Sequence, residues 1–380
     1  MYAVKPWGNV FFIGCSVGSY AMGIGMRWRE SNVTIVERNA NPSYELERTR
    51  RCVITEQSIK LLSDLGCTES KLRKILSPAK GWRFLSPTLE VLREGATFPG
   101  CAVGEPAYHC TEGSLLRALR TEYMRFGGSL SWGTTAHDAF ENTDGTDTWC
   151  LRKEYGMSSD AEVILSTASQ TSLNKLLFAE DPDRMAVVFN VREGVAGVTP
   201  EDRSRLVGDG CDTFIMVGQG VALHGWFFKE DKCSWRMITK GNEEEHEENP
   251  LDDRVKKLVS SAKESYKWPL PVTTPAILDS AFHRKVSVLG DGLLPVDPFE
   301  WRGDNARVMI EEASTVCRAF YGKKYHRGNV SFLLREIEQD SLSKRSNLLR
   351  RDVMDAEHFL AVRPLLEEEP SFDRRAQIKN

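Results

Sequence analysis

Several features that mark whole protein classes are missing from this sequence of 380 residues. Its cysteines form no C-x-x-C pair, and no stretch approaches the roughly 18 apolar residues of a membrane-spanning helix. The 50 basic and 54 acidic residues nearly cancel, and we find no internal repeat and no long linker. These absences argue against a cysteine zinc site, a membrane-spanning chain, and a protein drawn to nucleic acid or anionic lipid by its overall charge.

The cysteines and the start of the chain set the expected compartment. The nine cysteines, an odd number, are scattered from Cys15 to Cys317, which favours thiols that fill a core in a reducing environment over a disulfide framework. The first nine residues hold one lysine and no acid, and an apolar run follows at once, so we expect a plain N-terminal tail. A soluble intracellular protein is expected, in the cytoplasm or in the mitochondrial matrix.

The N-terminal part of the chain has the pattern of a βαβ unit. An apolar run over 9–13 ends at Gly14, apolar residues at helical spacing follow, and the β-branched run 33–36 ends at Glu37. A βαβ unit implies a parallel sheet with the connecting helix packed on one face.

The remaining pattern alternates helices with a β-rich middle. Caps, apolar spacing and glycine stops predict helices over 55–65, 111–126, 306–321 and 329–362. Short β-type runs predict strands over 130–132 and 286–292, and alternation with aromatic residues predicts an antiparallel sheet within 186–238. The element order is that of an α/β protein with a second sheet of its own.

Two charged segments are candidate contact regions. The acidic run 243–248 contains His246, but one histidine among carboxylates is a weak metal signal, so we predict a solvated loop and no metal site. The last helix has a basic face suited to RNA or lipid, yet interleaved acids favour a solvated face instead. This face comprises Lys344, Arg345, Arg350 and Arg351.

The turn after the first predicted strand occupies the place of a dinucleotide fingerprint. In G-x-G-x-x-G the glycines allow a tight bend, close approach of the pyrophosphate, and packing of helix against strand. Gly14 keeps the first role, Ser16 and Ser19 stand in the other two, and Gly18 is an additional small residue. Glu37 follows at about the 20-residue spacing at which a carboxylate bonds a ribose hydroxyl. Two interpretations stay open, a nucleotide site and a βαβ unit that has lost its nucleotide.

Further segments extend the pattern over nearly the whole chain. They are Glu37-Arg38, the stretch 50–55 that leads into a leucine-rich helix ending at Gly66, the stretch 104–108, the middle sheet and Gly290-Asp291-Gly292. In this order the chain resembles the single-component (class A) FAD-dependent aromatic monooxygenases, nearest the ubiquinone-biosynthesis hydroxylases. The resemblance implies an α/β fold in which a Rossmann-like FAD-binding subdomain is interleaved with an antiparallel β-sheet substrate subdomain, followed by C-terminal helices.

The resemblance also implies a discontinuous domain division. Residues 1–74, 102–177 and 278–325 would form the FAD-binding-like subdomain, residues 75–101 and 178–277 the β-sheet subdomain, and residues 326–380 a C-terminal helical segment. The nucleotide site would then be assembled from opposite ends of the chain.

A set of cofactor contacts follows from the same resemblance. The contacts with the FAD pyrophosphate and adenosine ribose would be Gly14, Gly18 and Glu37, with Ser16, Arg38 and Arg51 in the same site. The contacts with the ribityl chain and pyrophosphate would be Gly290 and Asp291. The loop that presents backbone N–H groups to the isoalloxazine would contain Pro298, Gly303 and Asn305.

The implied activity is hydroxylation of an aromatic or quinone-precursor ring, with FAD as cofactor, NAD(P)H as reductant and oxygen as co-substrate. The substrate would lie between the nucleotide subdomain and the sheet of 186–238. No catalytic residue is assigned. Tyr108, His109 and His224 lie near the expected cavity, but such residues more often have structural roles.

Several positions depart from the family pattern. Its Asp-Gly motif with a following Ser and Arg falls on Ala168-Ser169, with Ser172 and Lys175 beyond. Glu112 stands near the place of an arginine that would attract the pyrophosphate, and Trp301 stands where small residues leave room for the flavin. These departures open the alternative of a pseudoenzyme, a monooxygenase-like body that has lost its FAD site and serves as a subunit or assembly factor of a larger complex. A plain NAD(P) dehydrogenase is less favoured, because no hydride-transfer site follows downstream.

Overall fold

The chain alternates short strands and helices up to one long final helix. The computed structural model describes residues 6–95, 105–143, 148–153, 158–168, 173–178, 185–218, 220–239, 251–271, 275–297, 299–322 and 329–360. The strands are β1 Asn9–Ile13, β2 Asn32–Glu37, β3 Arg51–Thr55, β4 Ser77–Pro78, β5 Gly81–Leu85, β6 Val91–Gly95, β7 Ala107–Thr111, β8 Ser129–Trp132, β9 Ala136–Glu141, β10 Trp149–Lys153, β11 Ser158–Ala161, β12 Val163–Ser166, β13 Met185–Gly197, β14 Cys211–Gly218, β15 Val221–Lys229, β16 Lys232–Thr239, β17 Ala262–Pro271 and β18 Val286–Val288. The helices are α1 Val17–Arg27, α2 Glu56–Asp64, α3 Glu69–Arg73, α4 Glu112–Arg125, α5 Asn174–Leu177, α6 Pro200–Val207, α7 Asp253–Val259, α8 Asp304–Tyr321 and α9 Val330–Leu360.

A parallel sheet of five strands, in the order β18-β12-β1-β2-β8, forms around the first βαβ unit. Val10 of β1 pairs with Val33 of β2 on one side and with Val163 of β12 on the other. Side chains of α1, α4 and α8 share one buried apolar cluster with this sheet. The predicted βαβ unit is confirmed, whereas the strand predicted over 286–292 ends at Val288 because Gly290–Gly292 form a 3₁₀ turn.

A second sheet has the strand order β17-β13-β16-β15-β14-β5-β6. Neighbouring strands are antiparallel except for β14 and β5, which run parallel. The antiparallel sheet predicted within 186–238 is confirmed for β13 to β16, and β5, β6 and β17 extend it. One face packs on α6 and α7, and the other shares a buried apolar cluster with β1 and with α9. The division of the chain into interleaved subdomains stays a prediction.

Two small sheets complete the β-structure of the described residues, β11-β10-β9 and β3-β7-β4. In the second of these, Arg51 of β3 pairs with Thr111 of β7. Thr111 is also the N-cap of α4, because its side chain accepts a hydrogen bond from the N–H of Ser114. This strand pairing brings the start of α4, and therefore Glu112, close to Arg51.

The final helix corrects one expectation. Arg345 was predicted on a solvated basic face, but it is fully buried, whereas its neighbour Lys344 is exposed. Arg345 follows Leu342 by three positions and precedes Leu349 by four, so it lies on the apolar stripe of α9. The prediction of solvation was wrong for Arg345.

The described cysteines agree with the expectation of core thiols. Eight of them are buried, among them Cys15 at the first turn and Cys317 on α8.

None of the helices within the described ranges is long and apolar enough to cross a membrane. The acidic run 243–248 with His246 lies outside the described residues.

Candidate functional site

The turn between β1 and α1 has the backbone shape that a nucleotide fingerprint needs. Gly14 lies in the left-handed region (φ 93°), and its N–H donates to the carbonyl of Val36 at 2.8 Å. A Cβ added to Gly14 would lie 2.8 Å from the Cβ of Ala168, so backbone strain and packing both exclude a larger residue. The first position of the predicted fingerprint therefore makes the expected tight bend.

The start of α1 is capped by its own serines. Ser16 is the N-cap: its Oγ accepts from the N–H of Ser19 at 3.1 Å, and its N–H donates to Oγ of Ser19 at 2.8 Å. The Ser16 hydroxyl also donates to Oγ1 of Thr167 at 3.0 Å. In dinucleotide-binding folds, phosphate oxygens take up free N–H groups at this helix end. Ser16 and Ser19, which replace the two later glycines, thus bind part of these N–H groups within the chain. At Gly18 there is space, since an added Cβ would lie no closer than 3.7 Å to another atom.

Glu37 lies at the end of β2 and braces the same turn. Its carboxylate accepts from the N–H of Cys15 at 2.8 Å and from the N–H of Asn39 at 2.9 Å. A carboxylate offers about four lone-pair sites, so Glu37 keeps the capacity to accept from ribose hydroxyls. Arg38, the next residue, is exposed. This corner suits the adenosine end of a dinucleotide.

Asp291 lies in the turn after β18, where Gly290 (φ 62°) makes the bend. Its carboxylate accepts from Nδ2 of Asn305 at 3.2 Å and pairs with Arg345 of α9 at 3.2 Å. Arg345 also donates to Glu312 at 2.7 Å. Burial lowers the pKa of Arg345, but Glu312 and Asp291 outweigh burial and raise that pKa above its usual value. Arg345 thus binds Asp291 at the place where the resemblance puts the ribityl chain of FAD.

The loop before α8 satisfies its own backbone donors. Gly303 is left-handed (φ 64°), and a Cβ there would lie 2.5 Å from Cγ2 of Val53, so only glycine fits. The Asp297 carboxylate accepts from the N–H of Arg302 at 3.2 Å and from the N–H of Asp304 at 3.1 Å. Burial, and then the charge of Asp304, raise the pKa of Asp297 to about 7. Donors at this helix start, where an isoalloxazine was expected, are therefore already bound to a carboxylate of the loop.

Large aromatic side chains fill the space beside this loop. The rings of Phe299 and Trp301 stack with centroids 4.9 Å apart, and Trp301 lies 4.5 Å from the ring of Phe359 on α9. Phe299 also packs against Phe189 of β13 at 5.1 Å. All four rings are almost completely buried, so this region is packed like a protein core. Trp301 fills volume, as its size led us to expect.

A chain of ion pairs connects this loop to the seven-stranded sheet. Arg50 pairs with Glu300 at 2.6 Å, Glu300 with Arg236 of β16 at 3.0 Å, and Arg236 donates to Glu193 of β13 at 2.7 Å. Burial raises the pKa of Glu300, but Arg236 and Arg50 outweigh it and hold that pKa at about 2. Glu300 is therefore an ionised link between two parts of the fold.

Arg51, predicted as a cofactor contact, is bound to protein groups. Its guanidinium donates to Oγ1 of Thr213 at 2.8 Å and to the carbonyls of Glu300 at 2.9 Å and Trp301 at 3.1 Å. Burial lowers its pKa to about 10. Arg51 thus fixes the path of the loop that carries Glu300 and Trp301.

A narrow cleft of about 10 Å³, room for about one water molecule, remains where α1, α4 and α8 begin. Glu112 of α4 borders it, with Oε1 bound to Arg48 at 3.1 Å. Oε2 of Glu112 and Oδ1 of Asn305, which also borders the cleft, make no hydrogen bond to any other described residue. Ligand pockets range from roughly 300 to 1,000 Å³, so this cleft is far too small for a flavin nucleotide.

FAD does not fit this arrangement. The cofactor brings a three-ring flavin, a ribityl chain, two phosphates and an adenosine, and the cleft is small for all of them. The groups that would bind FAD are already bound within the chain. Asp291 pairs with Arg345, the N–H of Asp304 donates to Asp297, and the serines cap the start of α1. Glu112 borders the cleft, where its charge would repel a pyrophosphate. The corner at Gly14 and Glu37 suits a ribose, but the remainder of the groove is filled by the chain's own side chains.

Of the three residues near the expected substrate cavity, Tyr108 and His109 have polar neighbours, whereas Nε2 of His224 makes no hydrogen bond to any other described residue. The Tyr108 hydroxyl donates to Glu56 at 2.7 Å, and Nδ1 of His109 lies 3.5 Å from Asp212. His224 is buried, and burial lowers its pKa well below the usual value. None of the three lines the cleft, and the described residues contain no group of His, Cys, Asp or Glu that could hold a metal.

Some predicted positions are not brought together by the structure. Lys175 lies in α5 and does not line the cleft. Pro298, Ser169 and Ser172 lie outside the described residues.

Sequence reasoning missed Asp297 and Arg345, which fill the groove. For Arg345 a signal existed, because its spacing from Leu342 and Leu349 places it on the buried stripe of α9. Asp297 gave no such signal, since its role depends on the backbone path of its loop, where its own φ is 48°.

No protein-family model matches the chain, and no curated protein matches it. Solved structures do match over most of its length. The 2,6-dihydroxypyridine-3-hydroxylase from Arthrobacter nicotinovorans is 14% identical, with a TM-score of 0.73 over 97% of this chain and 96% of that one. CtdE, solved in complex with FAD and a substrate, is 11% identical, with a TM-score of 0.71 over 97% and 96%. The "probable FAD-dependent monooxygenase" PqsL from Pseudomonas aeruginosa is 14% identical, with a TM-score of 0.68 over 93% and 96%.

These likenesses show the fold. The chain has the fold of the FAD-dependent monooxygenases, so the predicted fold class and the resemblance to the class A superfamily are confirmed at that level. A nearer relation to the ubiquinone-biosynthesis hydroxylases stays a prediction. Identities of 11% to 14% carry no cofactor or substrate across, so the chemistry must be argued from the residues of this chain.

Proposed function

We propose that this chain is a pseudoenzyme with the fold of the FAD-dependent monooxygenases, which serves as a subunit or assembly factor of a larger protein complex. The observation that carries the proposal is that the chain's own side chains occupy the groove in which the resemblance places FAD. Arg345 binds Asp291, Asp297 binds the donors at the start of α8, and Trp301 fills the space beside the loop.

The energetics of the filled groove support this proposal. A protein gains stability from a bound ligand, so a groove built for FAD loses that stabilisation when FAD is lost. Polar groups left behind would be buried without partners, which is costly. Here Asp291, Glu300 and Glu312 each pair with a buried arginine, whereas Oε2 of Glu112 and Oδ1 of Asn305 make no hydrogen bond to any other described residue. We therefore expect the folded chain to be stable without a cofactor.

Flavin absorbance tests the cofactor half of the proposal. The full chain is purified, and its visible absorption is recorded before and after incubation with FAD and removal of unbound FAD. We expect a colourless protein in both cases. Flavin that co-purifies or remains bound at one equivalent would contradict the proposal.

A partner capture experiment tests the other half. The exposed side chains of Trp28, Phe332 and Met354 are candidate contact points, since covering exposed apolar surface is favourable. The tagged chain, isolated from its native cells, should elute in a stoichiometric complex above its own mass of 42.9 kDa. Elution as a free chain would contradict a role as subunit or assembly factor.

The second candidate is an FAD-dependent monooxygenase that hydroxylates an aromatic or quinone-precursor ring with NAD(P)H and oxygen. The specific observation in its favour is the corner at Gly14 and Glu37, which keeps a tight bend and spare carboxylate lone pairs for a ribose. Oxygen-dependent consumption of NAD(P)H by the FAD-supplemented chain would favour this candidate. If the chain binds no FAD and consumes no NAD(P)H, only the pseudoenzyme proposal remains.

A further inference from the structure

The end of α9, residues 349–360, buries acids on its packed face. Leu349, Asp352, Asp355 and Phe359 follow one another at helical spacing, so two carboxylates lie on an otherwise apolar stripe. Asp352 is only 2% exposed and Asp355 only 7%. Ionised carboxylates are costly to bury, so this part of the helix stays packed only where they are paired or protonated.

Two further carboxylates face this stripe from the loop before α8 and from α8 itself. The backbone N–H of Asp297 donates to Oδ2 of Asp352 at 2.8 Å. Asp304, the first residue of α8, lies 3.5 Å from Arg351 of α9. Both Asp297 and Asp304 are buried. We call Asp297, Asp304, Asp352 and Asp355 the acid cluster.

Guanidinium groups balance three members of the acid cluster. Arg302 of the loop bonds to Asp355 and lies 3.9 Å from Asp352. Arg351 lies 3.3 Å from Asp352 and 3.5 Å from Asp304. These ion pairs connect the loop and α8 to the end of α9.

Asp297 is the member of the cluster without a cation of its own. Its carboxylate forms no ion pair with any described residue and accepts instead from the N–H groups of Arg302 and Asp304. Arg307 of α8 pairs with Asp304, at 3.0 Å. Arg51 of β3 acts on Asp297 only as a nearby positive charge.

Protons supply the balance that cations do not. Burial and then the charge of Asp304 raise the pKa of Asp297 to about 7. Burial and then the charge of Asp297 raise the pKa of Asp352 well above its usual range, although Arg302 opposes this. In water, with α9 released, both carboxyls return to an ordinary pKa of about 4. The packed position of α9 is therefore fully favoured below about pH 4 and loses that advantage as pH rises through about 7.

We propose that residues 349–360 of α9 form a pH-sensitive latch, which stays packed while Asp297 and Asp352 keep their protons and is released when these protons are lost. The aromatic contacts at the end of the helix show what release uncovers. The ring of Phe359 lies 4.5 Å from Trp301 and 5.4 Å from Phe84 of β5. Release of the latch therefore exposes the ring of Trp301 and an aromatic ring of the seven-stranded sheet.

Amide hydrogen exchange of the full chain, followed by mass spectrometry, tests the latch. Exchange in peptides from 349–360 is measured at about pH 5.5 and about pH 8 and divided by the intrinsic exchange rate at each pH, which gives the opening equilibrium. A carboxyl whose pKa changes from about 4 to about 7 predicts about 30-fold more opening at the higher pH. Peptides from α1, which contains no carboxylate, should show no such increase.

Neutral isosteres identify the groups responsible. Asp297→Asn combined with Asp352→Asn removes both titrating carboxyls, so opening of 349–360 should differ less than about 3-fold between the two pH values. Glu338→Gln is the matched control on the same helix. Burial raises the pKa of Glu338 to about 7 as well, but its carboxylate accepts from the N–H of Val288 on β18 at 3.2 Å and is not part of the acid cluster. This variant should keep the response of 349–360.

The controls also define what contradicts the latch. An equal increase of opening in α1 would show a loss of stability throughout the chain and would overturn the proposal. So would a wild-type increase below about 3-fold in 349–360. An unchanged response in the double variant, or in Asp297→Asn alone if the double variant does not fold, would overturn it too.

Discussion

Replacement of Arg345 by methionine is the sharpest perturbation of the filled groove. The side chain of Arg345 is fully enclosed, and its guanidinium pairs with Glu312 and Asp291. Methionine keeps the apolar stem but leaves two carboxylates without their cation. Removal of one partner from a buried ion pair costs about 3–5 kcal/mol. That is a large share of a total folding stability of about 5–15 kcal/mol.

Urea unfolding measures this loss, and the adjacent residue provides the control. Lys344 pairs with Asp340 on the exposed face of the same helix, with 62% and 56% of the two side chains accessible. Such a surface pair contributes about 0–1 kcal/mol, so Lys344→Met should barely change the midpoint of unfolding. An equal loss of stability in both variants would refute the reasoning, because a general effect of substitutions in α9 would then explain the loss.

A second substitution identifies the cause of the loss. Glu312→Gln in the Arg345→Met background removes the charge of one stranded carboxylate, so part of the stability should return. If the two changes are simply additive, the ion pair is not the origin of the effect.

Three further changes test other parts of the groove. Gly14→Ala should cost about 1–3 kcal/mol because φ is 93° and the new Cβ would meet Ala168; unchanged urea stability would contradict the strain. The pKa of Asp297 is raised to about 7 in the folded chain, so the stability that its bound proton provides is complete below the unfolded pKa of about 4 and is lost as pH rises through about 7. The wild-type chain should therefore lose more stability than Asp297→Asn between about pH 5 and about pH 8, and equal slopes would exclude Asp297 as the titrating group. Trp301→Ala should cost about 3–5 kcal/mol through the cavity it leaves and still take up no FAD; FAD binding by this variant would mean that lack of space alone had blocked the flavin.

Local patterns determined most of the fold that could be predicted. The βαβ unit was visible because apolar runs, helical spacing and Gly14 follow one another at short range. The parallel pairing of β14 with β5 was not visible, because it joins segments far apart in the chain. The same limit applies to β18, whose place beside β12 depends on distant residues.

The candidate site was predictable where a single residue type imposes the geometry. Gly14 and Gly303 both adopt positive φ beside close neighbours, and both were selected from the sequence. The partners of Asp291 were not predictable in the same way, since Arg345 reaches it from a helix 54 positions away. Charge alone suggested a solvated basic face there, and burial on the apolar stripe decided otherwise.

Equilibrium titration of FAD into the purified full chain, followed by quenching of flavin fluorescence, tests the central claim most directly. The filled groove predicts no saturable quenching at FAD concentrations that saturate a holoenzyme of the same fold run in parallel. Saturable binding at one equivalent, lost in Asp291→Ala, would contradict the claim and restore the groove as a cofactor site.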